Sequence, residues 1–319
     1  MTQWRRPPSA PPWPAPPARV APATAGRGSL RRDGFWPWLF VGPLLVGVTV
    51  FFLWPIAQTA YFSLTHRGVF EGAEFIGFAN FTRLLADPAL YRSLANTLLY
   101  TAIVLASIPI AVYLASLLNR PGLRFASVYR VLYFLPYIAM PTAVAMVWRV
   151  IYNGDFGMLN YVLRLFGVDG PYWISTPGYT IVAVGLVGLW SSLGFAMIVF
   201  AAGLKNIPPE LYEAAELDGA TRGRQFRAIT VPLLTPSIFF VSVITVIAGL
   251  QLFDLLFAIL GSANPMLPKS MSLVYFFYRE GFIQNDKGYA AAIAIVIFAI
   301  TGLATLVQFR VQRRWVHSA

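Results

Sequence analysis

Residues 213–232 read EAAELDGATRGRQFRAITVP, a polar run that interrupts an otherwise apolar chain. Ala214 and Ala215 are strong helix formers, so the run is predicted to begin as a short helix. Asp218 and Gly219 then break this helix, because glycine adopts the positive φ that a sharp turn requires. A second helical stretch over 221–228 leads into the next apolar segment. Two short helices joined by a turn are the form expected of a docking element for a soluble partner.

The composition of the chain excludes several classes of protein. Its 319 residues are 57% hydrophobic and only 12% charged, which is too apolar for an ordinary soluble domain. Because the chain has no cysteine, disulfides and thiolate metal sites are impossible. His66 and His317 lie far apart in sequence and offer no recognisable zinc pair or catalytic base. No Gly-x-x-x-x-Gly-Lys-Ser/Thr motif occurs, so the chain does not bind ATP through a P-loop.

Six charge-poor runs are long enough to span a bilayer, which takes about 20 apolar residues. They are 34–66, 93–119, 131–148, 170–205, 228–253 and 288–309. The third is the shortest and contains Pro136 and Pro141, which predict a kinked, buried helix. Between the first two runs, residues 75–88 have the spacing of a short amphipathic helix at the membrane interface. The sequence therefore predicts an all-α integral membrane protein with six transmembrane helices.

The distribution of basic residues predicts the orientation of these spans. If the amino terminus is cytoplasmic, most of the 24 basic residues fall on the cytoplasmic side, as the positive-inside rule requires. Both termini are then cytoplasmic, and the net charge of +11 needs no nucleic-acid partner. We predict a disordered Pro/Arg-rich leader over 1–33, a six-span domain over 34–310 and a cytoplasmic tail over 311–319. The polar run lies in a cytoplasmic loop, residues 205–235, termed the coupling loop below.

The coupling loop resembles the EAA motif of the inner-membrane permease subunits of binding-protein-dependent ABC importers. That motif has Glu-Ala-Ala, a glycine after three residues, an isoleucine after nine more, and a Leu-Pro pair. Val231 stands in place of the leucine before the proline, which is a conservative change. The matching residues are Glu213, Ala214, Ala215, Gly219, Ile229 and Pro232.

Other stretches resemble the carbohydrate-uptake branch of these permeases, the maltose and glycerol-3-phosphate type. The likeness covers roughly residues 35–310. One departure lies at 260–265, LGSANP, where members of the branch often have Gly-Gly-Pro, and this leaves the solute open. The stretches are GFANF at 77–81, NTL at 96–98, RVLYFLP at 130–136, FD at 253–254 and GYAAA at 288–292.

The resemblance implies the type I permease fold of ABC importers and a set of partners. These are a second permease, expected to be a different polypeptide, two cytoplasmic ATPase subunits that bind ATP and magnesium, and an extracytoplasmic solute-binding protein. Glu213 would contact a basic group of the ATPase, and Gly219 would set the turn in the loop. The chain itself would need no cofactor and would lie in the inner membrane of a bacterial or archaeal cell.

Asp254 is predicted to be the only acidic residue inside a span. Because a carboxylate is costly in lipid, it is expected to face protein or water. It could accept hydrogen bonds from sugar hydroxyls, with Gln251 as a weaker candidate, or it could only fix the packing of neighbouring helices. Two alternative functions remain at this stage. A stand-alone secondary transporter or channel leaves the coupling loop without a purpose, and a membrane enzyme lacks a metal cluster or nucleophile–base pair in sequence.

Overall fold

The computed structural model describes residues 36–66, 72, 74–119 and 122–315. The predicted leader, 1–33, lies outside the described residues. The chain divides into two compact units, residues 1–54 and 55–319. In the first unit, helix α1 (Trp36–Val48) continues through a π-helical turn (Thr49–Leu53). Pro43 lies inside α1. Since the run has no charged residue, it suits the hydrocarbon region of a membrane.

In its described residues, the second unit consists of helices, their connections and one two-stranded hairpin. Helix α2 (Trp54–Ser63) leads into strand β1 (Thr65–His66), which pairs antiparallel with β2 (Glu74–Phe75). The helices that follow up to the coupling loop are α3 (Ala79–Ala86), α4 (Pro88–Leu105), α5 (Ser107–Leu118), α6 (Ala126–Ile138), α7 (Pro141–Ile151), α8 (Met158–Leu165) and α9 (Tyr179–Lys205).

The coupling loop and the remaining helices complete the unit. Two π-helical turns interrupt this part, Phe226–Thr230 and Arg279–Ile283. The last helix runs to Trp315, five residues past the predicted end of the six-span domain. The helices are α10 (Glu210–Leu217), α11 (Arg222–Gln225), α12 (Val231–Leu233), α13 (Thr235–Leu250), α14 (Asp254–Leu260), α15 (Leu267–Ser270), α16 (Leu273–Tyr278) and α17 (Lys287–Trp315).

Four helical segments in the described part of the chain are long and apolar enough to cross a membrane by themselves. They are Trp38–Ser63, Pro88–Leu118, Tyr179–Lys205 and Lys287–Arg313. Two further segments pass the same test only as bent pairs. Ser127–Ile138 and Pro141–Ile151 meet at 99°, and Arg222–Leu233 and Thr235–Leu250 meet at 66°. The chain therefore has four candidate spans, or up to six if each bent pair crosses the membrane.

The third predicted span is bent, as its two prolines predict, but the rest of the single chain buries little of it. The chain bends by 99° at Ala139 and Met140, ahead of Pro141. The residue before a proline is biased towards extended backbone, and Met140 has a ψ of 127°. In α7 only Val144 and Ala145 are buried by the rest of the chain. The prediction that this helix is buried is therefore wrong for the chain by itself.

The second unit is organised around α9, which packs against α4, α5 and α6. Helix α13 packs against α4 and α17, and α14 packs against α7. Buried side chains form two apolar clusters. One, with Phe200, Leu204 and Leu234, lies at the end of α9 that leads into the coupling loop. The other, with Tyr152, Leu256 and Phe276, lies around the opposite end of α9.

A hydrogen-bonded cluster joins α3 to the start of α17 and is termed the α3–α17 cluster. The buried amide of Asn80 donates to the carbonyl oxygens of Ser63 and Thr65, each at 2.9 Å. Helix α3, predicted as an interfacial helix, thus connects the chain at the end of α2 with the start of α17. The members of the cluster are Asn80, Arg83, Asp87, Asp286, Gly288 and Tyr289.

Candidate functional site

The first half of the coupling loop is a helix with a glycine cap. Helix α10 ends at Leu217, and Gly219 follows with a φ of 73°. The amide of Ala220 donates to the carbonyl of Ala215 at 2.8 Å, and that of Gly219 donates to the carbonyl of Glu216 at 3.0 Å. This bonding pattern is a Schellman motif, in which a left-handed residue satisfies the last carbonyls of a helix. The predicted break at Asp218 and Gly219 is confirmed.

Gly219 is required for its backbone conformation and not for lack of space. A Cβ atom placed on Gly219 would meet no atom within 4 Å. A residue with a side chain is nevertheless strained there, since the left-handed region costs roughly 1–2 kcal/mol for residues other than glycine. Gly223 offers a useful contrast, because it has the same open surroundings without a positive φ. The two glycines therefore separate conformational need from steric need.

The second half of the loop is fixed to the body of the protein. The hydroxyl of Tyr212 on α10 lies 2.9 Å from the hydroxyl of Thr230, which joins the two halves. The ring of Phe226 makes an edge contact with Tyr113 on α5, at 6.2 Å between centroids. Ile229 is half-buried against the apolar cluster at this end of the protein. A displacement of the loop would therefore be transmitted to α5 and α9.

A cavity of about 590 Å³ lies between the coupling loop and the ends of α5 and α9. Glu213 and Glu216 of α10 line it together with Lys205 and Arg222. Among the described residues, no ion pair or hydrogen bond satisfies the side chains of Glu213 and Glu216. Their surroundings could therefore accept a basic side chain from outside the chain, because both carboxylates keep their acceptor sites open.

The outward surface of α10 includes a residue that sequence reasoning missed. Leu217 is 90% exposed, which makes it the most exposed large apolar side chain among the described residues. It lies one position before Asp218, at the tip of the loop. Leu217 lies four residues after Glu213, on the same face of α10, so a partner that contacts Glu213 would also meet this leucine. The sequence does contain an indication of this residue, because an apolar leucine directly precedes the Asp-Gly break.

The predicted loop residues separate into an exposed group and an anchoring group. The exposed group lies on α10 and at its cap, and the anchoring group lies between the loop and the membrane helices. Ala215 is half-buried and shares the inward side of α10 with Tyr212. The exposed residues are Glu213, Ala214, Asp218 and Gly219, and the half-buried anchoring residues are Ile229 and Pro232.

Asp254 does not lie inside the fifth span, which corrects the prediction. Helix α13 ends at Leu250, Gln251 caps it, and Asp254 opens the separate helix α14. The break is stabilised by Ser272, whose hydroxyl donates to the carbonyl of Leu252. Side-chain bonds of this kind satisfy the backbone where a membrane helix is interrupted. Asp254 and Gln251 are both exposed on the surface of the single chain.

Aromatic rings surround the start of α14. Phe253 stacks on Phe257 at 5.6 Å between centroids, with an angle of 11° between the rings. Tyr278 lies 5.1 Å from Phe253, and Tyr275 lies 6.0 Å from Phe257. The two candidate polar side chains thus stand beside an aromatic cluster that α14 and α16 build together. Sequence reasoning missed this cluster, since its rings come from segments about twenty residues apart.

The family of the chain is shown by its sequence. Residues 107–317 match the family described as binding-protein-dependent transport system inner membrane component. The matched range includes the whole coupling loop and the segment with Asp254. The alternative of a stand-alone transporter or channel is therefore not supported.

Curated relatives cover nearly the whole chain. A probable ABC transporter permease protein of Bacillus subtilis is 34% identical over 91% of this chain and 94% of its own length. The sn-glycerol-3-phosphate transport system permease protein of Agrobacterium fabrum is 32% identical, over 88% and 96%. The lactose transport system permease protein of Rhizobium radiobacter is 31% identical, over 91% and 99%.

The fold is also that of a solved transporter. A chain of a bacterial ABC transporter involved in the import of the acidic polysaccharide alginate superposes with a TM-score of 0.77 at 22% identity. The superposition covers 88% of this chain and 96% of that one. In this family ATP hydrolysis resides in a separate subunit, so the chain is not an enzyme. It belongs to the family of binding-protein-dependent transport system inner membrane components, as a multi-pass permease subunit of an ABC importer.

Proposed function

We propose that the chain carries a sugar or a related polyol-type solute into the cell, with its coupling loop docked on the ATPase of the importer. Relatives at 30–32% identity are named for the transport of sn-glycerol-3-phosphate, lactose and arabinooligosaccharides, which supports this solute class. Each of these solutes has two or more hydroxyl groups. Because the sequence departs from the branch at 260–265, it does not identify which of these solutes is carried. We expect the binding protein and the solute path to select the solute.

The observation that carries the docking proposal is the state of the charged groups on α10. Glu213 is exposed and lines a cavity in which the carboxylates of the loop have no ion-pair partner among the described residues. A basic side chain of the ATPase placed there would form a charge-assisted hydrogen bond, which is stronger than a neutral one. Leu217 would add apolar area to the same interface. Gly219 holds both residues in place through the cap of α10.

The remaining partners follow from the family. The importer would contain a second permease, a different polypeptide, and two ATPase subunits that bind ATP and magnesium. An extracytoplasmic binding protein would deliver the solute; one of the similar solved structures is in complex with an alginate pentasaccharide-bound periplasmic protein. The chain would cross the inner membrane six times with both termini in the cytoplasm. The basic residues of the coupling loop agree with this orientation.

We place the solute path beside Asp254 and Gln251. Binding sites for small solutes combine aromatic surface with a few polar groups that fix orientation. The rings of Phe253, Phe257 and Tyr278 supply such surface next to the exposed carboxylate. Since both polar side chains are exposed in the single chain, the second permease would close the path from the other side. The packing role of Asp254 is the less favoured reading, because its side chain accepts no hydrogen bond among the described residues.

Charge reversal on α10 tests the docking proposal. Glu213→Lys is expected to abolish uptake by vesicles that contain the complete importer, because a lysine repels a basic group on the ATPase. Glu210→Lys is the matched control, since Glu210 is exposed on the same helix but does not line the cavity. Equal uptake by both variants and the wild type would contradict docking through Glu213.

Neutralisation of Asp254 tests the path. Asp254→Asn is expected to lower uptake while the importer still assembles and hydrolyses ATP, because only a hydrogen-bond acceptor for the solute is weakened. Asp169→Asn, an exposed carboxylate in the connection between α8 and α9, is the control. If Asp254→Asn prevents assembly, the packing role replaces the path role.

A further inference from the structure

One motif of the sequence is not explained by coupling or by the solute path. RVLYFLP at 130–136 lies in α6, the first half of a bent segment. Arg130, Val131, Tyr133 and Phe134 line one apolar cavity of about 180 Å³. Helices α5 and α9 complete its wall, and Arg130 is the only charged residue among the lining residues. We propose that this cavity holds an acyl chain of an anionic phospholipid, with the lipid phosphate bound by Arg130.

The size and lining of the cavity suit a hydrocarbon chain. Its walls are almost entirely apolar, and the side chains that face it include Leu118, Met197 and Ile198. An apolar cavity of roughly 150 Å³ in another protein stays free of water and binds benzene. A cavity of this size therefore takes part of one acyl chain and would not be filled by water. The rest of the lipid would lie along the exposed apolar surface of α6, where Val131 and Leu135 are more than half exposed.

The depth of the cavity lies within one leaflet of a bilayer. Along α9 it extends from Ala201, near the coupling loop, to Gly194. Gly194 lies about 16 Å from Lys205 at a rise of 1.5 Å per residue. Half of the hydrocarbon core is about 15 Å thick. The cavity itself spans about 10 Å along α9, from Ala201, about 6 Å below Lys205, to about the middle of the membrane, and this depth is within the reach of a single acyl chain.

The charge at the mouth of the cavity selects the headgroup. Arg130 is exposed and belongs to the second turn of α6. Among the described residues, no carboxylate pairs with its guanidinium. A planar guanidinium binds phosphate oxygens through two parallel hydrogen bonds. Anionic lipids of the cytoplasmic leaflet attract basic groups near the surface. The inference rests on the proposed function only in taking the coupling-loop side as cytoplasmic.

The cavity lies next to the contact between α6 and α9, so a bound lipid would affect how these two helices pack. At Gly194 the helices α6 and α9 touch so closely that a Cβ atom would lie 2.5 Å from the carbonyl oxygen of Tyr133. The bend of 99° begins directly after this contact, past Pro136. An acyl chain below the contact would hold the start of α6 away from α9 and α5. Loss of the lipid is therefore expected to loosen the bent segment.

Native mass spectrometry of the importer tests the inference. The assembled importer containing the full chain is extracted in mild detergent from vesicles with equal amounts of phosphatidylglycerol and phosphatidylcholine, and retained lipids are counted. The wild type is expected to retain one phosphatidylglycerol at this site. Arg130→Gln is expected to lower its retention roughly fivefold, the loss of about 1 kcal/mol from one basic residue near the surface. Arg124→Gln, an exposed arginine that does not line the cavity, is expected to change nothing.

A second pair of variants tests the cavity without changing charge. Ala201→Phe is expected to fill it and to displace the lipid, whereas Ala202→Phe, on the exposed side of α9, is the control. Retention of phosphatidylglycerol by Ala201→Phe, or equal losses in Arg124→Gln and Arg130→Gln, would overturn the proposal. So would an assembled wild-type importer without retained lipid, since the second permease would then occupy the cavity. Uptake is not part of these measurements, so their failure leaves the proposed transport function intact.

Discussion

The coupling loop and the α3–α17 cluster lie at opposite ends of the spanning helices and use their charged groups in opposite ways. In the cluster, Arg83 bonds Asp286 at 2.6 Å, and the hydroxyl of Tyr289 donates to Asp87 at 2.8 Å. In the loop, Glu213 is exposed and has no ion pair among the described residues. Charges that are paired within the chain hold its own elements together. We propose that the open carboxylates of Glu213 and Glu216, which line one cavity, meet the ATPase.

The same contrast holds for the apolar residues and the backbone. Leu84 on α3 is fully buried, whereas Leu217 on α10 is 90% exposed. Gly288 in the cluster is needed for close packing, and Gly219 in the loop is needed for its positive φ. One end of the molecule is therefore completed by the chain itself, and we propose that the other end associates with the ATPase. Substitutions in the cluster should act on stability, and substitutions in the loop should act on binding of the ATPase.

The largest expected effect is on stability, in the cluster. Gly288→Ala would place a Cβ atom 2.1 Å from the carbonyl oxygen of Thr65, a backbone atom that cannot easily shift. Overpacking of this kind costs roughly 1–3 kcal/mol or more, so the melting temperature of the purified chain should fall by several degrees. Gly302→Ala on the same helix is the control, because its surroundings are open. An unchanged melting temperature in Gly288→Ala would contradict the tight contact.

An intermediate effect is expected on association, in the loop. Leu217→Ser should leave the melting temperature unchanged and weaken binding of the ATPase about tenfold, since burial of a leucine contributes about 1.5 kcal/mol or more. Leu165→Ser is the control, because Leu165 is an exposed leucine at the opposite end of the spans. Affinities measured by titration of the ATPase into the reconstituted permease pair would check this. If Leu217→Ser lowers the melting temperature and leaves the affinity for the ATPase unchanged, Leu217 stabilises the chain itself and does not bind the ATPase.

The smallest effect is expected for the ion pair of the cluster. Arg83 is half-exposed, so its bond to Asp286 is screened by water and contributes only about 0.2–1 kcal/mol. Arg83→Gln should lower the melting temperature slightly, less so in high salt, and should not alter ATPase binding. A change in ATPase affinity without a change in stability would show that the cluster is not simply structural.

Much of the fold could be predicted from local sequence. Charge-free length identified each helical segment that is now a candidate span, and the Ala-Ala and Asp-Gly pairs located α10 and its end. Errors arose where polar residues belong to a helix. Helix α4 begins at Pro88 and not at Ser93, because Asp87 caps it by accepting from the amide of Ala89. A span identified only by its lack of charged residues omits a first helical turn that contains or adjoins a charged residue.

What could not be predicted depends on partners distant in sequence. Helix α13 ends at Leu250, and the hydroxyl of Ser272, twenty residues on from Leu252, donates to the carbonyl of Leu252 at the break. Apolar composition continues through the break and gives no sign of it, so Asp254 was misplaced. The prolines predict a bend after α6 but not its angle of 99°, and α14, more than a hundred residues further on, packs against α7 beyond this bend. The roles of Glu213, Gly219 and Asp254 stay predictions.

The most direct test of the account is recovery of the ATPase with the tagged permease. Gly219→Pro cannot keep a φ of 73° and loses the amide that donates to Glu216, so the cap of α10 must rearrange. Gly223→Pro is the control, because proline is tolerated in the first turn of a helix. We expect Gly219→Pro to enter the membrane normally and to recover at least about tenfold less ATPase than Gly223→Pro or the wild type. Equal recovery by all three would contradict the claim that the coupling loop is the docking element.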